Sequence, residues 1–108
     1  MSKNKKLVRE RFRDLTFKRD KYCCVMCGFK STPENAIDEL DSHHLINREA
    51  MPSGGYVPEN GISLCSDCHI KAEEFYSTGT AHPGYSVEEL FEKIGSSEEK
   101  AREAAKKL

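Results

Sequence analysis

Two histidines stand side by side in the stretch LDSHHLINRE, Leu40 to Glu49, of a chain that has only four. Imidazole near neutral pH is a base and a metal ligand, so His43 and His44, with His69 further along, are the first candidates for chemistry. In an extended segment successive side chains point to opposite faces; the two neighbours therefore serve different surfaces and have different jobs. The cysteines form a second pattern. Cys24 with Cys27 and Cys65 with Cys68 are two CxxC pairs, and four sulfurs complete a tetrahedral zinc site that has no open position and is therefore structural. Gly28 permits the tight turn that brings the first two sulfurs to one ion. Cys23 offers a CxxxC alternative, but the CxxC–Gly spacing favours Cys24 and leaves Cys23 a free thiol. Five cysteines with no signal peptide argue against a disulfide scaffold.

These residues need elements to hold them. Leu7, Val8, Phe12, Leu15 and Thr16 fall at helical spacing among lysines and arginines, which predicts an amphipathic basic helix ending near Asp20. The knuckle YCCVMCG follows, then STPEN as a loop or a turn into a short helix. IDELDSHHLI, Ile37 to Ile46, is a candidate strand. NREAMPSGGYVPEN, Asn47 to Asn60, carries two prolines and a Gly-Gly pair and must be a loop, one long enough to be functional. GISLC is a short apolar strand, and SDCHIKAEEFY a helix capped by Ser66 or Asp67. After the loop STGTAHPGY, SVEELFEKIG carries the capping-box pair Ser86 and Glu89, with Gly95 as a stop. SSEEKAREAAKKL repeats that pattern with Ser96 and Glu99; its small apolar surface means that it either frays or packs on a partner.

With 108 residues, the chain holds one modest core and needs a staple. At 37% hydrophobic residues it is too apolar for wholesale disorder. No apolar run approaches a membrane span and the N-terminus lacks a signal-peptide core, so the expected location is cytoplasmic with no membrane partner. The net charge of −1 hides a polarised chain: residues 1–30 hold ten lysines and arginines against three acids, the remainder seven against fifteen. A phosphate backbone would attract such a basic arm, with Arg9, Arg11, Arg13, Lys18 and Arg19 as its candidate contacts; the alternative is a solvated charged helix.

The ordered elements CVMCG, DSHHL, PENGISLC and CSDCHIK resemble the HNH endonuclease family, in its four-cysteine subgroup of bacteria and bacteriophages, over roughly Phe12 to Phe75. The resemblance implies an α+β fold: a small ββα-metal domain stapled by a four-cysteine structural zinc, with a basic N-terminal helix and C-terminal helices. The expected layout is one HNH nuclease domain over 1–108, comprising a helix at 1–20, zinc knuckles and ββα-metal core at 22–76, and a helical extension at 77–108. It also implies that His43 and His69 bind a catalytic divalent metal, that His44 is the general base, and that Asn60 fixes the loop and orients His44 through the strand backbone. The expected metal is magnesium or manganese, with zinc or nickel as alternatives. Some relatives carry a further histidine where this chain has Glu73, which is one turn from His69; Glu73 is a third ligand, a water-mediated ligand or a surface acid. Asp41 shares the strand face of His43 and is either a partner of a ligand or an auxiliary ligand. Arg48 either contacts phosphate or is a solvated side chain. His82, in AHPG, has no partner in the motif.

The reaction so implied is hydrolysis of DNA phosphodiesters, as an endonuclease or nickase leaving 5′-phosphate and 3′-hydroxyl ends. The competing reading is a noncatalytic zinc-stabilised module that binds DNA or protein, although such a relic need not keep a base, an amide and two ligands together. A two-cysteine, two-histidine finger fails on spacing, and the HxE and PCxxC signature of a zinc deaminase is missing. The acidic C-terminal helices could also dock a protein partner such as a phage packaging or restriction component.

Overall fold

The computed structural model describes residues 2–108, with side chains from residue 5 onward; Met1 and the side chain of Lys3 in the basic arm lie outside the described residues. Helix α1, Ser2–Arg19, buries Phe12, Thr16 and Phe17. Leu7 and Leu15, expected on the inward stripe, are instead exposed. The inward face is set by what α1 meets. Phe12 and Thr16 press on Gly61, where an added Cβ would lie 2.6 Å from the Phe12 ring and 2.7 Å from Thr16 Oγ1. Only a residue without a side chain lets the helix approach that closely.

The chain turns through Lys21 and Tyr22, both at positive φ, into the knuckle. There Cys24 N–H donates to Phe29 O and Gly28 N–H to Cys24 O, while Val25 N–H reaches Ser63 O at 3.0 Å. Helix α2 is Ala36–Glu39 and strand β1 Asp41–His44. The expected strand over Ile37–Ile46 thus begins as helix over residues 37–39, because Asp38 and Glu39 suit the first turn of a helix and Ala36 is buried there. β1 pairs antiparallel with β2, Gly61–Leu64, in a register that sets His43 opposite Ile62 and His44 opposite Gly61. The fold is α+β, a two-stranded sheet among helices.

Three 3-10 turns, Arg48–Ala50, Pro52–Gly55 and Pro58–Asn60, occupy the connection between the strands. Helix α3, Ser66–Thr78, starts from Cys65, with no side-chain cap from Ser66 or Asp67. Helix α4, Val87–Lys93, has the expected capping box of Ser86 and Glu89. Helix α5, Glu98–Lys106, is capped by Ser97, one residue later than expected. Its small apolar face packs within the chain. Ala101 and Ala105 are fully buried, Arg102 Nη1 donates to Ala50 O at 2.9 Å, and Ser96 Oγ just before the helix donates to Glu59 O at 2.8 Å. Small alanines allow close packing, so α5 closes over the long loop. No helix is long and apolar enough to cross a membrane among the described residues.

Candidate active site

Strand alternation separates the two histidines. His43 is 4% exposed and turns toward α3, where His69 and Glu73 stand one helical turn apart. One carboxylate oxygen, Glu73 Oε1, lies 3.3 Å from His43 Nδ1 and 3.2 Å from His69 Nε2. The donor atoms of His43, His69 and Glu73 all lie within 4.8 Å of one another. Two imidazoles and a carboxylate converging in this way fit a divalent cation by donor type and number. Burial pushes the His43 imidazole down to about 4, against the opposing pull of Glu73, so at neutral pH it is uncharged and has a lone pair to offer. Asp41 does not join the triad. Its Oδ2 lies 3.0 Å from His69 Nδ1, the ring nitrogen away from Glu73, where accepting that N–H leaves Nε2 free for a metal.

His44 points the other way, toward α1. Its ring stacks on Phe12 with centroids 4.5 Å apart and meets the Tyr56 ring edge-on at 4.9 Å. Burial between these rings lowers its pKa to about 4, and the charges of Arg48 and His43 act in the same direction. His44 Nε2 is buried with no hydrogen-bond partner among the described residues. A ring nitrogen without a partner is costly to bury. A cavity of about 260 Å³ is lined by His43, His44, His69, Glu73, Arg48 and Tyr76, among others, so both histidines border the same space.

Asn60 is fully buried, and its side chain hydrogen-bonds backbone rather than either imidazole. Its Oδ1 accepts from Ile46 N–H at 3.0 Å, while Nδ2 donates to Ile46 O at 3.1 Å and Gly55 O at 3.2 Å. Its own carbonyl accepts from Leu45 N–H. One amide thereby joins the loop to the backbone that leaves β1, two residues after His44. Gly55, at φ +66°, makes room for it: a Cβ there would lie 2.7 Å from Asn60 Nδ2.

The four sulfurs of Cys24, Cys27, Cys65 and Cys68 also lie within 4.8 Å of one another, positioned to bind a metal. Cys23 is outside this set, its Sγ donating to Lys21 O, so the CxxC pairing holds. Burial raises the Cys24 thiol, but the N–H groups of Cys27, Cys65 and Met26 outweigh it and bring it to about 7, which favours the thiolate that a metal needs. Tyr85 Oη donates to Cys68 Sγ at 3.3 Å.

The cationic residues divide. Arg48 lines the histidine cavity, and its Nη1 donates to Tyr56 Oη at 3.0 Å. Arg9 and Arg13 line an adjoining cavity that reaches His44; Arg13 also pairs with Asp14. Arg11 and Lys18 are exposed. Arg19 departs from the expected phosphate contact. It donates to Pro58 O, to Gly61 O at 2.7 Å and to both oxygens of Asp20, while Asp20 Oδ2 accepts from Ser63 N–H. Arg19 and Asp20 form a clasp from α1 to β2, and the guanidinium is already occupied. His82 has neighbours after all, Glu74 at 3.5 Å and the Tyr85 ring, but belongs to neither ligand cluster. Spacing gave no sign of Tyr56, Tyr76 or Tyr85, because each reaches the site from a separate element. Tyr76 Oη donates to Leu45 O at 2.7 Å, another brace on the strand end.

The family model described as HNH endonuclease matches residues 24–75. Neither the curated proteins nor the solved structures yield a match.

Proposed function

We propose that the protein is a metal-dependent endonuclease or nickase that hydrolyses DNA phosphodiesters, a reading supported by the match of residues 24–75 to the family model described as HNH endonuclease. The observation that carries this reading is the shared cavity, bordered both by the three convergent metal donors and by the imidazole of His44. Each group then has a task. His43, His69 and Glu73 hold the divalent cation, which when bound offers positive charge to the phosphodiester. Two imidazole donors suit manganese, nickel or zinc better than magnesium, which prefers oxygen. Asp41 holds His69 in the tautomer that leaves Nε2 for the cation.

His44 accepts the proton of the attacking water, a contribution of about a hundredfold to ten-thousandfold. The aromatic walls of Phe12 and Tyr56 keep it neutral and aimed. Asn60 is a positioning residue, acting through the backbone at Leu45 and Ile46. Arg48 meets phosphate at the cavity rim. The four cysteines hold zinc, whose role is to fix the knuckle against the start of α3.

Supercoiled plasmid incubated with the purified protein and manganese, magnesium, nickel or zinc tests the reading beside His44→Ala and His69→Ala. Nicked or linear product is expected from the parent protein and a loss of at least about a hundredfold in either variant. Undiminished cleavage by His44→Ala would remove the base assignment, and no cleavage of any DNA with any of these metals would leave the zinc module without its enzyme.

A further inference from the structure

Beyond Arg48 the cleft continues away from the metal donors. A space of about 590 Å³ opens between the first half of α1 and the loop, bordered by Lys5, Arg9, Arg48, Tyr56 and a single acid, Glu49. A second, of about 600 Å³, shares Lys5, Arg9, Arg48 and Tyr56 with it and extends to His44. The same three cations thus border both spaces, and one acid, Glu10, joins the second. Arg9 and Arg48 come from different elements and face one phenol. Arg48 Nη1 donates to Tyr56 Oη at 3.0 Å; although burial raises the Tyr56 hydroxyl, the two guanidiniums together bring its pKa below the ordinary tyrosine value. Arg48 holds the hydroxyl while Arg9 borders the same two spaces, and each planar guanidinium has donors left over.

We propose that Arg9 and Arg48, spaced by the Tyr56 hydroxyl, form a phosphate clamp for the nucleotide next to the scissile one. Tyr56 is its positioning residue. The ring of Tyr56 also walls His44, so the clamp and the proposed base are built on the same side chain, and seating the flanking phosphate fixes the strand relative to His44. A nucleic-acid strand is the occupant that charge selects: three cations against one acid, in a channel with room for a sugar-phosphate unit. The link to catalysis rests on the nuclease reading, whereas occupancy by a strand does not.

Binding is therefore measured apart from cleavage, by fluorescence anisotropy of a labelled duplex and a labelled single strand over a salt series. Metal is withheld from the histidine site and zinc is left in place. Arg9→Gln is expected to flatten the slope of log K against log salt by about 0.9, one phosphate contact. Tyr56→Phe keeps both ring contacts and removes the hydroxyl; it is expected to weaken binding about three- to tenfold and, in cleavage, to raise KM by more than it lowers kcat. Parental slope in Arg9→Gln, or parental affinity and KM in Tyr56→Phe with an unchanged melting temperature, overturns the clamp, as does a parent protein that binds neither strand nor duplex. A parent that binds with the expected slopes and never cuts supports the clamp and sinks the nuclease reading.

Discussion

One position of strand separates an imidazole that faces a carboxylate from one that faces two aromatic rings. Their burial has the same electrostatic result by different means: His43 is lowered to about 4 despite Glu73, and His44 to about 4 with Arg48 assisting. Between that value and the ordinary 6.5 the unfolded chain takes up protons that the native protein refuses, so both histidines destabilise the fold as pH falls through that window. For His44 the main cause is burial, so the ring that buries it is the residue to remove. Nuclear magnetic resonance titration of His44, without a cation at the histidine site, is expected to show an inflection near pH 4. In Phe12→Ala, water reaches the stacked face and the inflection should rise toward 6.5; a value near 6.5 in the parent protein would contradict the burial account. The pairing of neighbouring histidines with separate faces was legible from sequence, because it needs only strand alternation. The third member, Glu73, was legible only as a position one turn from His69, since nothing in the spacing says that His43 will reach the same carboxylate oxygen.

Elements are joined at the site by few, fully buried groups. The loop depends on Asn60, whose amide satisfies both backbone groups of Ile46 and the carbonyl of Gly55. Asn60→Ala leaves these unpaired inside the protein, at a cost of roughly 2–4 kcal/mol; Gly55→Ala displaces the same amide through its Cβ and strains a positive φ. Both are expected to lower the urea midpoint and to reduce cleavage with the metal affinity of the histidine cluster less affected, and parental cleavage by Asn60→Ala would dismiss its positioning role. The knuckle depends on Tyr85, outside the family match, whose hydroxyl donates to Cys68. Hydrogen bonds to ligands commonly change metal affinity about ten- to a hundredfold. Tyr85→Phe should therefore surrender zinc to a competing chelator at correspondingly lower chelator concentration, whereas parental retention would make the contact incidental. Strand β2, helix α3 and the α4 capping box followed sequence patterns that depend on local residues. The helical start of Ile37–Ile46, the cap at Cys65 and the use of Arg19 did not, because each is decided by tertiary partners.

At the scale of the molecule, α5 closes the loop that holds Asn60. Its sequence offers alanines where a packing face would usually show leucine, which is why it read as frayed or as a dock for a partner; yet Ala101 and Ala105 are fully buried, and Arg102 and Ser96 occupy the carbonyls of Ala50 and Glu59. The other side of the same loop carries Arg48 and Tyr56, so the C-terminal helices brace the cleft from behind while α1 walls it in front. Deleting residues 97–108 removes two buried methyl groups and the Arg102 hydrogen bond from that support, about 2–3 kcal/mol in all, which in a domain of this size lowers Tm by roughly 10 °C. The zinc knuckle lies on Cys24, Cys27, Cys65 and Cys68, so its metal content should survive the deletion, while affinity for DNA and cleavage should both fall as the loop loosens. Calorimetry, metal analysis and the plasmid assay on one truncated protein separate these effects. A truncated protein that melts and cuts like the parent would return α5 to the role of a surface for another protein; one that loses zinc as well would mean that the extension and the knuckle fold as a single cooperative unit.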